Sequence, residues 1–540
     1  MVLWVALQAL LRGEAWALEG GPVAPAAGWA ELRVIDAQTG RGVPLVELET
    51  VNGLCFVTDN AGRIAFQEPG LMEREVFFHV RSHGYSVPRD GFGFSGVRVT
   101  PRAGAPAVVR VNRGMPAERL CRLTGEGRYR DSLLLGHASP LAQSRRTGGV
   151  AGQDSVQAAV HRGRVYWFWG DTQRMEYPLG LFRMAGATSE APTVVPTVVP
   201  AGAAQGFDPS PGISYEYFTD PATGFARAVM PLPERPQGVV WVSAVFTVPD
   251  EGGTARLVGH YSRRPGLEGE YEQGLAVFDD EREVFVPAKV LPLNESWRRP
   301  SGHPIEWEEG GRRWLLMGSP SPNVRVPAKL ADALNPESYE AYTCADGAGE
   351  AARPRLDEQG RPVWRWQREL PPTDSKAEHQ WIEQGKLKVE HARFCPEAVG
   401  GGLAGSGGTG TRAGAGPGGE RVRLHSGTVR WNAHRRRWVM LAGQIGGRSS
   451  FLGEVWYAEA ERPTGPFVRA VRVVTHDRQS FYNVCHHAFL DGEGGRWVHF
   501  EGTYTNDFSG NPHKTPRYNY NQVLYRLDLD GPALAPARGP

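Results

Sequence analysis

The chain is poor in cysteine and spaces what it has far apart. Cys55, Cys121, Cys344, Cys395 and Cys485 are five in 540 residues, and no pair has the close spacing of a zinc knuckle or a dithiol redox motif. An odd count leaves at least one thiol unpaired, and a Cys344–Cys395 bridge would require an oxidising compartment. Excess charge of either sign is also missing. Sixty Lys and Arg stand against 59 Asp and Glu, a net charge of +1, so the overall balance draws the chain neither to nucleic acid nor to an anionic membrane surface. No stretch beyond the N-terminus approaches the roughly 20 apolar residues of a membrane span. Absent too are GxxxxGK, HExxH and GxSxG, which removes nucleotide-binding and serine-hydrolase readings. No cofactor is expected.

Glycine, proline and aromatics are plentiful: 68 Gly, 42 Pro, 16 Trp and 16 Tyr describe a turn-rich β protein with many flat apolar faces. Such faces suit sugar rings, although packing between sheets uses aromatics as readily. At the start, the apolar run Val2–Leu11 is followed by Ala15, Trp16 and Ala17, an A-x-A cleavage pattern. Residues 1–17 therefore read as an export signal lacking its basic n-region, and residues 18–28 as a Gly/Pro/Ala linker. The expected location is secreted, periplasmic or at a bacterial cell surface.

A Trp-bearing phrase recurs along the chain: GRVYWFWG at 163–170, GRRWLLMG at 311–318, RRRWVMLAG at 435–443 and GRWVHFEG at 495–502, with a degenerate copy, GVVWVSAVF, at 238–246. Each is a turn running into a short aromatic or β-branched strand. The aligned tryptophans are Trp167, Trp241, Trp314, Trp438 and Trp497. Repeats of this size mark radially stacked sheets, each with an apolar face it cannot bury alone. The reading is an all-β chain with a five-bladed β-propeller over 125–530, against an ordinary sandwich with Gly-Arg turns. The Gly-rich stretch 400–419 is an insertion too poor in apolar residues to order itself, and Ala191–Pro200 reads as an extended Pro-Val loop.

From 29 to 113 the pattern changes to short alternating strands. Asp36, Thr39 and Gly40, then Thr58, Asp59, Gly62, Ile64 and Phe66, then His83, Gly84 and Tyr85 resemble the carboxypeptidase regulatory, transthyretin-like β-sandwich. The resemblance implies a structural or docking domain and no chemistry.

Candidate catalytic groups sit at strand ends. Gly152-Gln153-Asp154-Ser155 and Gly170-Asp171-Thr172 place two carboxyls beside an all-apolar strand, and a propeller's inner strands end at its channel. Glycosidic cleavage needs one protonated carboxyl to donate to the leaving oxygen and one ionised to activate water or attack the anomeric carbon. The competing reading is turn capping by Asp side chains. Glu454 precedes a strand and the Arg462–Phe467 turn. Tyr482, Asn483, His486, His487, Glu501, Tyr504 and Tyr520 make the last repeat dense in polar groups, and Asn323 and Arg325 are weaker candidates of the same kind. Neighbouring His486 and His487 point to opposite faces of a strand, so no shared metal is expected.

The Gly152-Gln-Asp and Trp-Gly-Asp-Thr segments and the Glu454 strand-turn resemble the five-bladed endo-D-arabinanase group and, more distantly, the arabinanase, fructosidase and neoagarobiose-hydrolase propellers. The resemblance implies a glycoside hydrolase acting on an arabinan-like polysaccharide, with Asp154, Asp171 and Glu454 as catalytic carboxyls and His487, His486, Tyr504, Arg325, Asn323 and Glu501 around the substrate. The sandwich in front and the Gly-rich insertion depart from that pattern. The alternatives are a glycan-binding propeller without catalysis, and a polysaccharide lyase in which His487 and Tyr504 abstract a proton beside a uronate carboxylate.

Overall fold

The structure, a computed structural model, describes residues 28–142, 148–175, 184–192, 207–400, 420–447 and 449–538. The leader, nearly all of the linker, most of the Pro-Val repeat and all but Gly400 of the Gly-rich stretch lie outside the described residues.

The N-terminal region forms two four-stranded sheets. In one, Ala30–Asp36 lies between Arg63–Phe66 and Ala107–Arg113, with Tyr85–Ser86 at the edge. In the other, the order is Cys55–Val57, Glu47–Thr50, Val76–Arg81, Gly96–Val99. Alternation drives the burial: Leu32, Val34, Leu48, Phe66, Phe78, Val109 and Val111 share one apolar core while intervening residues face outward. That core does not stop at the module. It continues into Val439, Leu441, Tyr457, Phe481, Phe500 and Tyr525 of later sheets.

Among the described residues, five further sheets of four or five strands follow, antiparallel but for one pairing in the fourth. The first contains Gln157–His161, Arg164–Trp169, Ala185–Glu190 and Glu216–Tyr217, beside a two-stranded pair, Val150–Gln153 with Thr172–Arg174. Val239–Pro249, Ala255–Arg264, Glu272–Asp279 and Val284–Leu291 form the second. Ile305–Glu309, Arg312–Met317, Val324–Pro327, Glu340–Thr343 and Arg365–Gln367 form the third. In the fourth, Leu424–Asn432, Arg437–Gln444, Val455–Ala460 and Arg469–Val474 are joined by Glu397–Ala398. The fifth takes Ser480–His486, Trp497–Thr505 and Asn521–Asp528, and completes itself with Glu118–Arg122, a strand that precedes the first sheet in the chain. The turns explain the recurring Gly. His161 pairs with Arg164 across Arg162 and Gly163, both at positive φ, the two-residue turn whose twist matches a hairpin.

Trp167, Trp314, Trp438 and Trp497 occupy the second strand of the first, third, fourth and fifth sheets. Trp241 does not share that position: it stands in the first strand of the second sheet, whose second strand buries Tyr261 instead. The degenerate copy is therefore displaced by one strand.

Each sheet meets the next. Thr247 Oγ1 donates to the Val160 carbonyl (3.0 Å), joining the first two. Phe246 and Val258 pack with Leu315 and Met317 between the second and third. Gly427 N–H donates to Ser319 Oγ (3.1 Å), and Asn483 N–H to Ser426 Oγ (3.0 Å). The fifth sheet returns to the first: Asn483 Nδ2 donates to Ser155 Oγ (2.5 Å) and Ser155 N–H to Thr503 Oγ1 (3.0 Å).

The N-terminal sheets are tied to this array by buried polar groups. Asn60 pairs with both the N–H and the carbonyl of Arg122, each at 2.9 Å. Arg119, fully buried, donates to the Pro44 and His83 carbonyls.

Candidate active site

Asp154 follows Val150–Gln153 and Asp171 follows Arg164–Trp169, and the backbone locks the two turns together. Asp171 N–H donates to Asp154 Oδ1 (2.8 Å), Gly170 N–H to the Asp154 carbonyl (2.8 Å) and Asp154 N–H to the Asp171 carbonyl (3.3 Å). Two glycines of the motifs make this approach sterically feasible. A Cβ on Gly170 would come within 2.3 Å of Asp154 Oδ1, and one on Gly152 within 2.0 Å of the Tyr520 carbonyl.

Side chains from distant sequence complete the surroundings. Tyr482 Oη donates to Asp154 Oδ2 (3.1 Å), Tyr520 hydrogen-bonds the same carboxyl, and Trp241 Nε1 donates to Asp171 Oδ1 (2.9 Å). Ser155, Asn483 and Tyr520 all hold positive φ, at 55°, 53° and 66°. Non-glycine residues enter that region at a cost, and such residues gather at functional sites.

Burial raises both acids. Desolvation, then the charge of Asp171, raises the Asp154 pKa from 3.8 to about 7, against the opposing hydrogen bonds of Tyr482 and Tyr520. Desolvation also raises Asp171, and the Trp241 N–H opposes it. Asp154 therefore holds its proton close to neutrality. Because the Tyr482 hydroxyl favours the ionised form, Tyr482→Phe is expected to push the Asp154 pKa higher still. A pH titration of Asp154 by carboxyl NMR checks this, and an unchanged or lower midpoint refutes it.

The other expected site residues have different neighbours. Glu454 is buried, accepting from Ser449 Oγ (3.1 Å) and pairing with Arg472 (2.7 Å). His486 and His487 diverge as strand alternation requires: His486 Nε2 meets Asp491 (2.9 Å) and His487 Nε2 meets Glu501 (2.6 Å). His487 also belongs to a buried cluster in which Cys485 Sγ lies 3.5 Å from His303 Nδ1 and 3.8 Å from His487 Nδ1. Burial works against the charged forms there. The two imidazoles nevertheless hold the Cys485 pKa well below its usual value, and Cys485 and Glu501 raise His487 to about 10.

Tyr504 Oη is buried between His83 Nε2 (3.0 Å) of the N-terminal sheets and Thr515 Oγ1 (2.6 Å). Arg325 is sandwiched by Trp314 and Trp366 and paired with Glu309 and Glu340. Asn323 Nδ2 donates to the Thr373 carbonyl (3.1 Å). Among the described residues, no group of three or more His, Cys, Asp or Glu is arranged to hold a metal ion.

Tyr482 and Tyr520 stand in the polar-rich last repeat, where their sequence context assigns them no role. Trp241 was read only as a repeat marker. No local signal links any of the three to an aspartate 70 or more positions away.

No family model matches the chain, and no curated protein matches it. Among solved structures it is similar to the GH43_1 enzyme from Xanthomonas citri complexed with xylotriose, at 11% identity and TM-score 0.32 over 77% of this chain and 92% of that one. It is similar to an exo-1,5-α-L-arabinanase from a bovine ruminal metagenomic library, at 12% and 0.32 over 72% and 97%. A third is the exo-β-1,3-galactanase from Phanerochaete chrysosporium with β-1,3-galactotriose, at 9% and 0.34 over 74% and 65%. These neighbours are glycoside hydrolases. At TM-scores this low the likeness carries no weight for the chemistry of this chain, which rests on its own residues.

Proposed function

We propose that the protein is an exported glycoside hydrolase that cleaves a polysaccharide, arabinan-like by sequence resemblance, at the Asp154–Asp171 pair. The observation that carries the reading is the meeting of two aspartates at interlocked turns, one carboxyl raised to about 7 by burial and by its neighbour's charge, the other accepting an indole N–H that opposes its own upward shift. Asp154 is the general acid that protonates the leaving oxygen, and Asp171 is the ionised partner the reaction requires. The five sheets act as blades around a common axis. The contacts that pass from each sheet to the next, and from the fifth to the first, support that arrangement. A lyase is disfavoured, because His487 is engaged with Glu501 and Tyr504 with His83.

Incubation with arabinan, galactan, xylan and uronan, read in parallel for reducing ends and for ultraviolet-absorbing unsaturated products, tests the reading. Reducing ends without ultraviolet absorbance are expected. Asp171→Asn is expected to lower kcat by roughly 10²–10⁴-fold with the fold intact. Wild-type turnover in that variant removes Asp171 from the mechanism, and an unsaturated product replaces hydrolysis with elimination.

A further inference from the structure

Beside the aspartate pair stands an aromatic ring with little over it. Phe508 is 61% exposed and holds φ at 62°, a region a bulky residue keeps only when its surroundings impose it. Here they do. Asn506 N–H donates to Asn519 Oδ1 (3.0 Å), Asn506 Nδ2 to the Asn511 carbonyl (2.8 Å), and Ser480 Oγ to the Asp507 carbonyl (2.6 Å). The loop thus has a fixed shape that keeps the ring out of the core. The Phe508 ring meets Tyr482 in an edge contact, with centroids 6.0 Å apart and planes at 73°. Tyr482 in turn donates to Asp154, so a single aromatic ring separates Phe508 from the reactive carboxyl.

Charge narrows what can lie there. Among the described residues, the carboxyls of Asp154, Asp171 and Asp507 take their hydrogen bonds from a backbone N–H, hydroxyls and an indole. A uronate or sulfated ring brought to this face meets the like charge of these carboxyls.

We propose that Phe508 is the platform on which an uncharged sugar ring of the substrate stacks, with Tyr482 setting the distance from that ring to Asp154. The proposal builds on the hydrolase reading. It assigns binding, not bond cleavage, to Phe508: the C–H face of the sugar covers the exposed ring, and the neighbouring glycosidic oxygen is offered to the acid.

The test is isothermal titration of wild type, Phe508→Ala, Phe508→Trp and Phe92→Ala with neutral arabino-, xylo- and galacto-oligosaccharides and with oligogalacturonates. Phe92, 90% exposed on the turn before Gly96–Val99, controls for loss of any surface aromatic. Wild type is expected to bind a neutral series, Phe508→Ala to weaken it by about threefold to tenfold, and Phe508→Trp and Phe92→Ala to retain it. On a cleaved member, Phe508→Ala raises KM and leaves kcat in place. Unchanged binding by Phe508→Ala, an equal loss in Phe92→Ala, a preference for oligogalacturonates, or no binding by wild type overturns the platform. Binding that depends on Phe508 without hydrolysis of any member keeps the platform and removes the hydrolase reading. Hydrolysis indifferent to Phe508 does the reverse.

Discussion

Asp154→Asn is expected to lower hydrolysis by roughly 10²–10⁴-fold while making the protein more stable above neutral pH. The two effects have one cause. The folded-state pKa of Asp154 is raised from 3.8 to about 7, first by desolvation and then by Asp171. Between those pH values the native state binds a proton that the unfolded chain releases, so this group's contribution to stability falls as pH rises through the window and stays low above it. Asparagine has no proton to lose. The difference in melting temperature between Asp154→Asn and wild type is therefore expected to be small near pH 4, to grow through pH 7 and to level off beyond. The wild-type rate should fall as pH rises through about 7, as the acid ionises. Parallel melting curves for the two proteins from pH 4 to 8 would show that the carboxyl is not held above its ordinary pKa, and the assignment of the acid would go with it.

The second large effect is structural. His487→Ala is expected to destabilise the protein by about 3–5 kcal/mol, because it strips the partner from Glu501, which is fully buried and has its other oxygen unpaired. It also removes one of the two imidazoles beside Cys485 and opens space against Trp167, whose ring centroid lies 5.1 Å from that of His487. Urea denaturation measures the loss. A change under 1 kcal/mol would mean that water reaches the carboxylate once the imidazole is gone.

The sequence showed its local chemistry and hid its long-range chemistry. The Trp-bearing strands at Trp167, Trp314, Trp438 and Trp497 are legible because turn, apolar run and Gly recur within eight or nine residues. Trp241 lies one strand earlier in its sheet than the others, and its segment gives no sign of this, since a Gly-led apolar run looks alike whichever strand of a meander it opens. Asp154 and Asp171 were readable as strand-end acids for the same local reason. Glu454 was too, but its companion Arg472 sits in the next strand, where nothing in the Glu454 segment announces it. Tyr482 and Tyr520 reach Asp154 from the far end of the chain, and Tyr504 is claimed by His83, from a module that precedes every repeat. Such pairings depend on which sheets become neighbours, and hydrophobic periodicity specifies faces rather than neighbours.

The strand Glu118–Arg122 has a bearing on how this molecule can be cut or shuffled. It lines Asn521–Asp528 along its outer side, so a fragment starting after Arg122 would expose a bare row of amides and carbonyls there, with Asn60's two hydrogen bonds lost as well. The N-terminal sheets are thus no detachable passenger: the strand that completes the last sheet follows directly on them and is pinned to them by Asn60, so replacing them would require carrying that strand along.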